Sequence, residues 1–167
     1  MGTDRETVAR QLGREPRAFR RVVVRCPFGR PAVTEQHPYA PDGEPFPTTY
    51  YVTCRHLVAS LSRLEAKGGV ERWTARTAED PRLAASRTRA DDEQRRIRRN
   101  LAGPETGRDG GASLDSGVGG AARAGSLKCL HAHAAFALAR PGYDLGERIL
   151  GDVEPLWPAR CCTQEDG

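Results

Sequence analysis

The chain has 167 residues, of which 18 are glycine and 12 are proline, and this length and composition predict one modest core with long loops. Hydrophobic residues make up 38% and charged residues 29%, which excludes a fully disordered chain. The net charge is +4, but acidic residues are interspersed among the basic ones, so the sequence does not favour nucleic acid as a partner. A protein partner remains possible from the sequence.

The beginning of the chain lacks the apolar core of a signal peptide, and no apolar run reaches about 18 residues. The sequence therefore predicts a cytoplasmic protein with no membrane span. In a reducing cytosol the five cysteines are expected to be thiols or metal ligands rather than disulfides.

The first 16 residues predict a helix that is capped by Thr3 or Asp4 and ends before Pro16. Residues 19–25 are rich in β-branched side chains and predict a strand. Residues 26–47 contain too many prolines and glycines for regular structure, so a long loop is expected there.

A second strand is predicted over residues 48–53, followed by a helix from Cys54 to about Lys67 that Gly68 and Gly69 close. Cys54 begins an apolar stripe with leucines and a valine at helical spacing, so its side chain is expected to point inward. His56 lies on a different face of this helix.

Asp80 followed by Pro81 marks the start of a polar helix to about residue 101, which is expected to lie on the surface. Residues 102–125 are dominated by glycine and alanine and predict a flexible loop. Ser126 can cap a helix that continues to Arg140 and is apolar nearly all round, which indicates burial in the middle of the domain.

A short helix over residues 144–150 and a tail over residues 161–167 complete the chain. The elements together predict a small single α+β domain over residues 17–160. It is expected to have two or three short strands, four or five helices and long loops rich in glycine and proline.

Three potential metal ligands, Cys129, His131 and His133, occur within five positions. In a continuous helix Cys129 and His133 share a face, whereas His131 lies on another. His131 is therefore the doubtful member of the group. Only an extended or frayed start, with the helix beginning after His131, would bring Cys129 and His131 together.

The remaining cysteines allow a larger metal site. Cys26 and Cys54 end the two predicted strands, so they can converge with Cys129 and with either His133 or Cys161 on one ion. Such a site suits zinc or an iron–sulfur cluster. None of these cysteines forms a Cys-x-x-Cys pair, so buried thiols with no cofactor, and histidines satisfied by hydrogen bonds, remain an alternative.

A thiol-dependent enzyme is a second hypothesis, because Cys54 lies at a predicted helix N-terminus, where the helix dipole lowers the pKa of a thiol. A third is an interaction module that docks through the arginines of residues 95–99, although a solvated helix face is the ordinary reading of such a run. Whether the protein is an enzyme is left open by these patterns.

Four segments carry a family resemblance: Cys26-Pro-Phe-Gly-Arg-Pro, Pro-Phe-Pro-Thr-Thr-Tyr-Tyr-Val-Thr-Cys at residues 45–54, the glycines from Gly117, and Lys-Cys-Leu-His-Ala-His at residues 128–133. Through them the chain resembles the uncharacterised bacterial family domain of unknown function 501, over about residues 20 to 160. The resemblance implies no established activity or site. It implies an actinobacterial gene that lies near the genes for a septum formation initiator and an exopolyphosphatase-like protein. If the protein is an interaction module, this gene neighbourhood links it to cell division or phosphate metabolism.

Overall fold

A computed structural model describes residues 2–121 and 125–162 and shows an α+β domain with a three-stranded antiparallel sheet and six α-helices. Residues 122–124 of the predicted loop and 163–167 of the predicted tail lie outside this description. The strands are β1 Phe19–Arg25, β2 Pro31–Gln36 and β3 Tyr50–Val52, and the helices are α1 Asp4–Leu12, α2 Arg55–Ala66, α3 Gly69–Glu79, α4 Pro81–Ala102, α5 Leu130–Ala139 and α6 Asp144–Gly151.

The predicted caps start two of the helices. Thr3 accepts a hydrogen bond from the backbone N–H of Glu6, and the Glu6 carboxylate accepts one from the backbone N–H of Thr3, which completes a capping box at α1. Asp80 accepts from the backbone N–H of Arg82, and Pro81 takes the first position of α4. These two starts confirm the sequence prediction.

The central strand of the sheet, β2, was not predicted and lies inside the expected loop. The strand order is β1-β2-β3, and all six residues of β2 are buried. Its most polar residue is Glu35, which accepts hydrogen bonds from Arg20 at 2.6 Å and from Arg21 at 3.0 Å. A register irregularity between Phe19 and Arg21 accompanies the approach of both neighbouring arginines to one carboxylate. Burial raises the pKa of Glu35, but the two arginines outweigh it and hold the pKa below its usual value.

Helix α3 was also not predicted, because Gly68 and Gly69 read as the end of the preceding helix. Gly68 does adopt a left-handed conformation, but it is the N-cap of α3. The indole of Trp73 is 2% exposed and donates to the Asp152 carboxylate at 3.1 Å, so α3 packs closely within the domain.

Helix α5 is buried in the middle of the domain, as its apolar sequence predicts. It contacts β3, α6 and α2. The ring of Phe136 lies edge-on to Tyr50 at 5.5 Å and to Tyr143 at 5.6 Å between ring centroids, so α5 joins the sheet to the C-terminal helix.

The close approach of α5 and α6 depends on Gly146. A Cβ atom added at this position would lie 2.6 Å from the carbonyl oxygen of His133 and 2.7 Å from the Cβ of Ala137. We expect Gly146→Ala to lower the free energy of unfolding by about 2 kcal/mol, because the two helices must separate. Urea unfolding followed by circular dichroism measures this change.

The matched control is Gly151→Ala at the end of the same helix, where an added Cβ meets no atom within 4 Å. That variant is expected to be as stable as the natural chain or slightly more stable. Equal stability of Gly146→Ala and Gly151→Ala would contradict the packing argument.

Helix α4 exposes one face at the surface, as its composition predicts, but its other face packs against the domain. Polar side chains rather than apolar ones fill much of its inner face, and Gln94 and Arg98 are each 1% exposed. Arg98 donates to the carbonyl oxygens of Ser113 at 3.1 Å and Phe46 at 2.9 Å. The Gln94 side chain donates to the carbonyl oxygens of Ser116 and Gly117.

The segment after α4 therefore has defined contacts. Residues 103–121 contain two short 3-10 turns, Ala112–Asp115 and Val118–Gly120, both of which contact α4. The flexibility predicted for this loop stays a prediction. Among residues 2–121 and 125–162, no helix combines the length and the apolar character that crossing a membrane requires.

Candidate metal centre

The start of α5 is set by a tight turn at Lys128, not by a cap at Ser126. Lys128 has a φ of 65°, which is uncommon for any residue other than glycine. The turn is held by the Cys129 N–H, which donates to the Leu127 carbonyl at 2.8 Å, and by the Ser126 hydroxyl, which accepts from the Lys128 N–H at 3.2 Å. Cys129 is then extended, with a φ of −150°, and acts as the N-cap of α5.

This extended start changes which ligands meet. The prediction of a continuous helix from residue 127 was wrong, because the helix begins at Leu130. Cys129 therefore does not share a helical face with His133, and its thiol lies instead beside His131. An extended start does bring Cys129 and His131 together, but the helix begins at Leu130, before His131, and not after it as that alternative expected.

Glu65, near the end of α2, completes a group of three potential ligands. One ligand atom each from Glu65, Cys129 and His131 lies within 4.8 Å of the other two, and all three residues are half-buried. His131 Nδ1 and Glu65 Oε1 lie 3.1 Å apart. The second oxygen of Glu65 accepts from the backbone N–H of Leu130 at 2.6 Å, which fixes the carboxylate at the start of α5.

The other imidazole nitrogen of His131 faces α2. Nε2 lies 3.3 Å from the carbonyl oxygen of Val58, to which it donates, and 3.3 Å from the Ser62 hydroxyl. The ring is therefore held on both sides by α2, so its orientation towards Cys129 does not depend on a bound ion.

Burial raises the pKa of the Cys129 thiol, and the nearby charge of Glu65 raises it further. Backbone N–H groups of Ala132 and His131 oppose this shift only in part. The thiol is therefore a poor free nucleophile, whereas a cation next to it would favour the thiolate.

His133 lies away from this group, completely buried. Its Nε2–H donates to the Leu127 carbonyl at 3.2 Å, and its Nδ1 accepts from the Tyr143 hydroxyl at 2.7 Å. Burial, with the nearby charge of Arg87, lowers the pKa of His133 to about 4. Both nitrogens of this neutral imidazole are satisfied inside the protein.

The remaining cysteines do not join Cys129 in the described part of the chain. Cys26 is buried in a turn after β1, and Cys161 is 3% exposed near the end of the described residues. Cys54 is the N-cap of α2, with its sulfur 3.7 Å from that of Cys162. The four-ligand convergence expected on Cys26, Cys54 and Cys129 is thus not found among residues 2–121 and 125–162.

Cys54 does not have the environment of a reactive thiol. It is 2% exposed, and burial raises its pKa to about 11 despite hydrogen bonds from the N–H groups at the start of α2. The helix dipole invoked for this cysteine is present, but desolvation outweighs it.

Glu65 was missed by the sequence reasoning. It lies seven positions after Val58 and four after Leu61, so it borders the buried stripe of α2. A carboxylate at the edge of such a stripe, on the helix that also holds Cys54, is the signal that could have drawn attention to it.

A cavity of about 500 Å³ adjoins the group and is open to the surface. Cys129 and His131 form part of its wall, together with residues from α1, β3 and α2. Tyr51, the outward member of the tyrosine pair on β3, also lines it. Cys129 and His131 therefore face a space large enough for a small molecule.

The chain matches the family described as "Protein of unknown function (DUF501)" over residues 22–151, a range that includes Glu65, Cys129 and His131. No curated protein and no solved structure matches it. Because the match covers well over half of the chain and confirms the resemblance seen in the sequence, the protein belongs to the DUF501 family.

Proposed function

We propose that this protein binds a zinc ion through Glu65, Cys129 and His131 and keeps a fourth coordination position open towards the adjoining cavity. The observation that carries the proposal is the mutual distance of at most 4.8 Å between one ligand atom of each residue. Carboxylate oxygen, thiolate sulfur and imidazole nitrogen are the three ligand types that proteins offer to zinc.

The distances need only a small adjustment to fit the ion. Zinc bonds of about 2.0–2.3 Å in a tetrahedral arrangement place two ligand atoms roughly 3.3–3.8 Å apart. His131 Nδ1 and Glu65 Oε1 are already 3.1 Å apart, so the ion would separate this pair slightly, and the sulfur of Cys129 lies within 4.8 Å of both atoms.

The charges and the surrounding hydrogen bonds also support the site. A thiolate and a carboxylate together neutralise the two positive charges of zinc, which suits a half-buried position. With zinc on Nδ1, the Nε2–H of His131 keeps its hydrogen bond to the Val58 carbonyl, an arrangement typical of ligating histidines.

Three protein ligands with an open fourth position characterise catalytic rather than structural zinc sites. A water in that position would be acidified by the ion and would face the cavity, so hydrolysis of a small molecule in the cytosol is the activity that this arrangement favours. The thiol-enzyme alternative on Cys54 lacks comparable support, because the pKa of that thiol is raised.

The proposal is tested by metal analysis and by zinc titration of untagged protein against a chromophoric chelator. We expect one zinc ion per chain, and a loss of affinity of at least about tenfold in each of Cys129→Ser, His131→Asn and Glu65→Gln, because each variant removes one ligand. Cobalt in place of zinc is expected to give a thiolate charge-transfer band that Cys129→Ser abolishes.

The controls are His37→Asn, an exposed histidine, and Cys26→Ser, a buried cysteine, both outside the group. Both are expected to bind zinc as the natural chain does. Equal zinc affinity in Cys129→Ser and Cys26→Ser would contradict the proposed ligands. A visible absorption spectrum of protein purified anaerobically is the second measurement. Iron–sulfur bands in that spectrum would contradict the assignment of zinc.

A further inference from the structure

Two cysteines that are far apart in the sequence meet at the start of helix α2. The sulfur atoms of Cys54 and Cys162 lie 3.7 Å apart, although 108 positions separate the two residues along the chain. A disulfide bond has a sulfur–sulfur distance of about 2.05 Å, so the two atoms need to approach by less than about 2 Å to be joined. Neither cysteine belongs to the candidate metal centre.

The segment that carries Cys162 to this place, residues 152–162, is here called the C-terminal strap. At its beginning, the Asp152 carboxylate accepts a hydrogen bond from the indole of Trp73 on α3 at 3.1 Å. Further along, the Pro155 carbonyl accepts one from Nε2 of His56, in the first turn of α2, at 2.8 Å. The strap is therefore anchored to both helices before it reaches its cysteine.

The two thiols differ in their access to solvent. Cys54 is 2% exposed, and burial raises its pKa to about 11, whereas Cys162 is half-buried. A dissolved oxidant therefore reacts first with Cys162. Cys54 then lies next to the sulfur that has reacted, and this proximity favours closure within the chain over reaction with a second molecule from solution.

We propose that Cys54 and Cys162 form a reversible disulfide that locks the C-terminal strap onto the start of α2 under oxidising conditions. The oxidant is a small disulfide such as oxidised glutathione. The Cys162 thiolate attacks one sulfur of this molecule, which forms a mixed disulfide and releases one glutathione thiolate. The Cys54 thiolate then attacks the Cys162 sulfur and releases the second.

The reaction balances without any further reagent. The two cysteines lose two electrons and two protons, and the oxidised glutathione gains both to become two molecules of the thiol. An excess of reduced glutathione reverses the two steps, so the strap responds to the ratio of the two forms. This regulation lies outside the proposed zinc site and does not depend on it.

The test exposes the full chain to oxidised glutathione, blocks the remaining thiols with N-ethylmaleimide and maps the disulfides by mass spectrometry. Digestion after glutamate separates Cys26 from Cys54, because Glu44 lies between them. We expect a cross-link from Cys54 to the C-terminal peptide and the loss of two thiols per chain. We also expect a rise in Tm of at least about 5 °C that dithiothreitol reverses, because the bond closes a long loop.

The variants assign the partners and separate this pair from the metal centre. Cys162→Ala is expected to abolish the cross-link and the rise in Tm, and Cys54→Ser is expected to retain a glutathione adduct on Cys162. Cys161→Ser, Cys26→Ser and Cys129→Ser are expected to form the cross-link as the natural chain does. The last of these removes a proposed zinc ligand, so the two proposals fail separately.

The mapping of the natural chain decides the matter even where a variant fails to fold. A disulfide between the adjacent Cys161 and Cys162, a cross-link from Cys54 to Cys161, or glutathione adducts with no cross-link would overturn the proposal. An equal yield of the Cys54–Cys162 cross-link in urea and in native buffer would also overturn it, because the pairing is attributed to the folded strap.

Discussion

Arg98→Ala is expected to lower the free energy of unfolding by about 3 kcal/mol or more. The guanidinium is 1% exposed and donates to the backbone carbonyls of Phe46 and Ser113, two half-buried residues whose carbonyls would lose this donor. The substitution also removes the apolar stem of the side chain from the core. Urea unfolding followed by tryptophan fluorescence and circular dichroism measures the loss.

Arg99→Ala is the matched control, because the next residue is an exposed arginine paired with the exposed Asp115. Its effect is expected to stay within about 0.5 kcal/mol. A difference of less than 1 kcal/mol between the two variants would show that Arg98 does not join α4 to the segments of residues 46 and 113.

The metal-free protein is expected to lose about 3 kcal/mol of stability through His133 as the pH falls from 7 to 4. The pKa of this buried imidazole is lowered from 6.5 to about 4, so between these values the unfolded chain binds a proton that the folded chain does not. The contribution is fully present above about pH 6.5 and is lost as the pH falls, at about 1.4 kcal/mol per unit.

The comparison of the natural chain with His133→Gln isolates this effect from that of the carboxylates. Urea unfolding at pH 7, 5.5 and 4.5 is expected to show a smaller decline for His133→Gln. Tyr143→Phe removes the hydroxyl that bonds to Nδ1 but keeps the imidazole buried, so it should be less stable at every pH with the steep decline retained. Parallel curves for the natural chain and His133→Gln would refute this account.

The elements with strong local signals were predictable. Helix α1 and helix α4 begin where their caps indicate. Strand β1 covers the seven-residue segment, rich in valine and arginine, for which a strand is predicted. Strand β2 was not predictable by the same means, because its buried carboxylate, Glu35, is satisfied by two arginines of β1. The strand is stabilised by tertiary contacts. Its own sequence has no hydrophobic periodicity that would predict it.

The candidate site was predictable in its residue types but not in its partners. Cys129 and His131 stand out in the sequence as potential ligands. The prediction of a continuous helix, however, placed their side chains on different faces. The decisive feature is the positive φ of Lys128, a conformation that lysine seldom adopts and that no residue pattern announces. Glu65 comes from a helix more than sixty positions earlier, so its approach depends on how α2 and α5 pack.

The arginines of β1 also bear on how molecules of this protein meet one another. Strand β1 pairs only with β2 among the described residues, so its outer edge presents backbone groups that a strand of another copy could pair with. Arg20 and Arg21 share the single carboxylate of Glu35, which leaves one net positive charge on this part of the strand, so two copies approaching edge to edge would repel. The same side chains that neutralise Glu35 within the sheet thus act outside it as a barrier to β-aggregation, one that weakens as ionic strength rises.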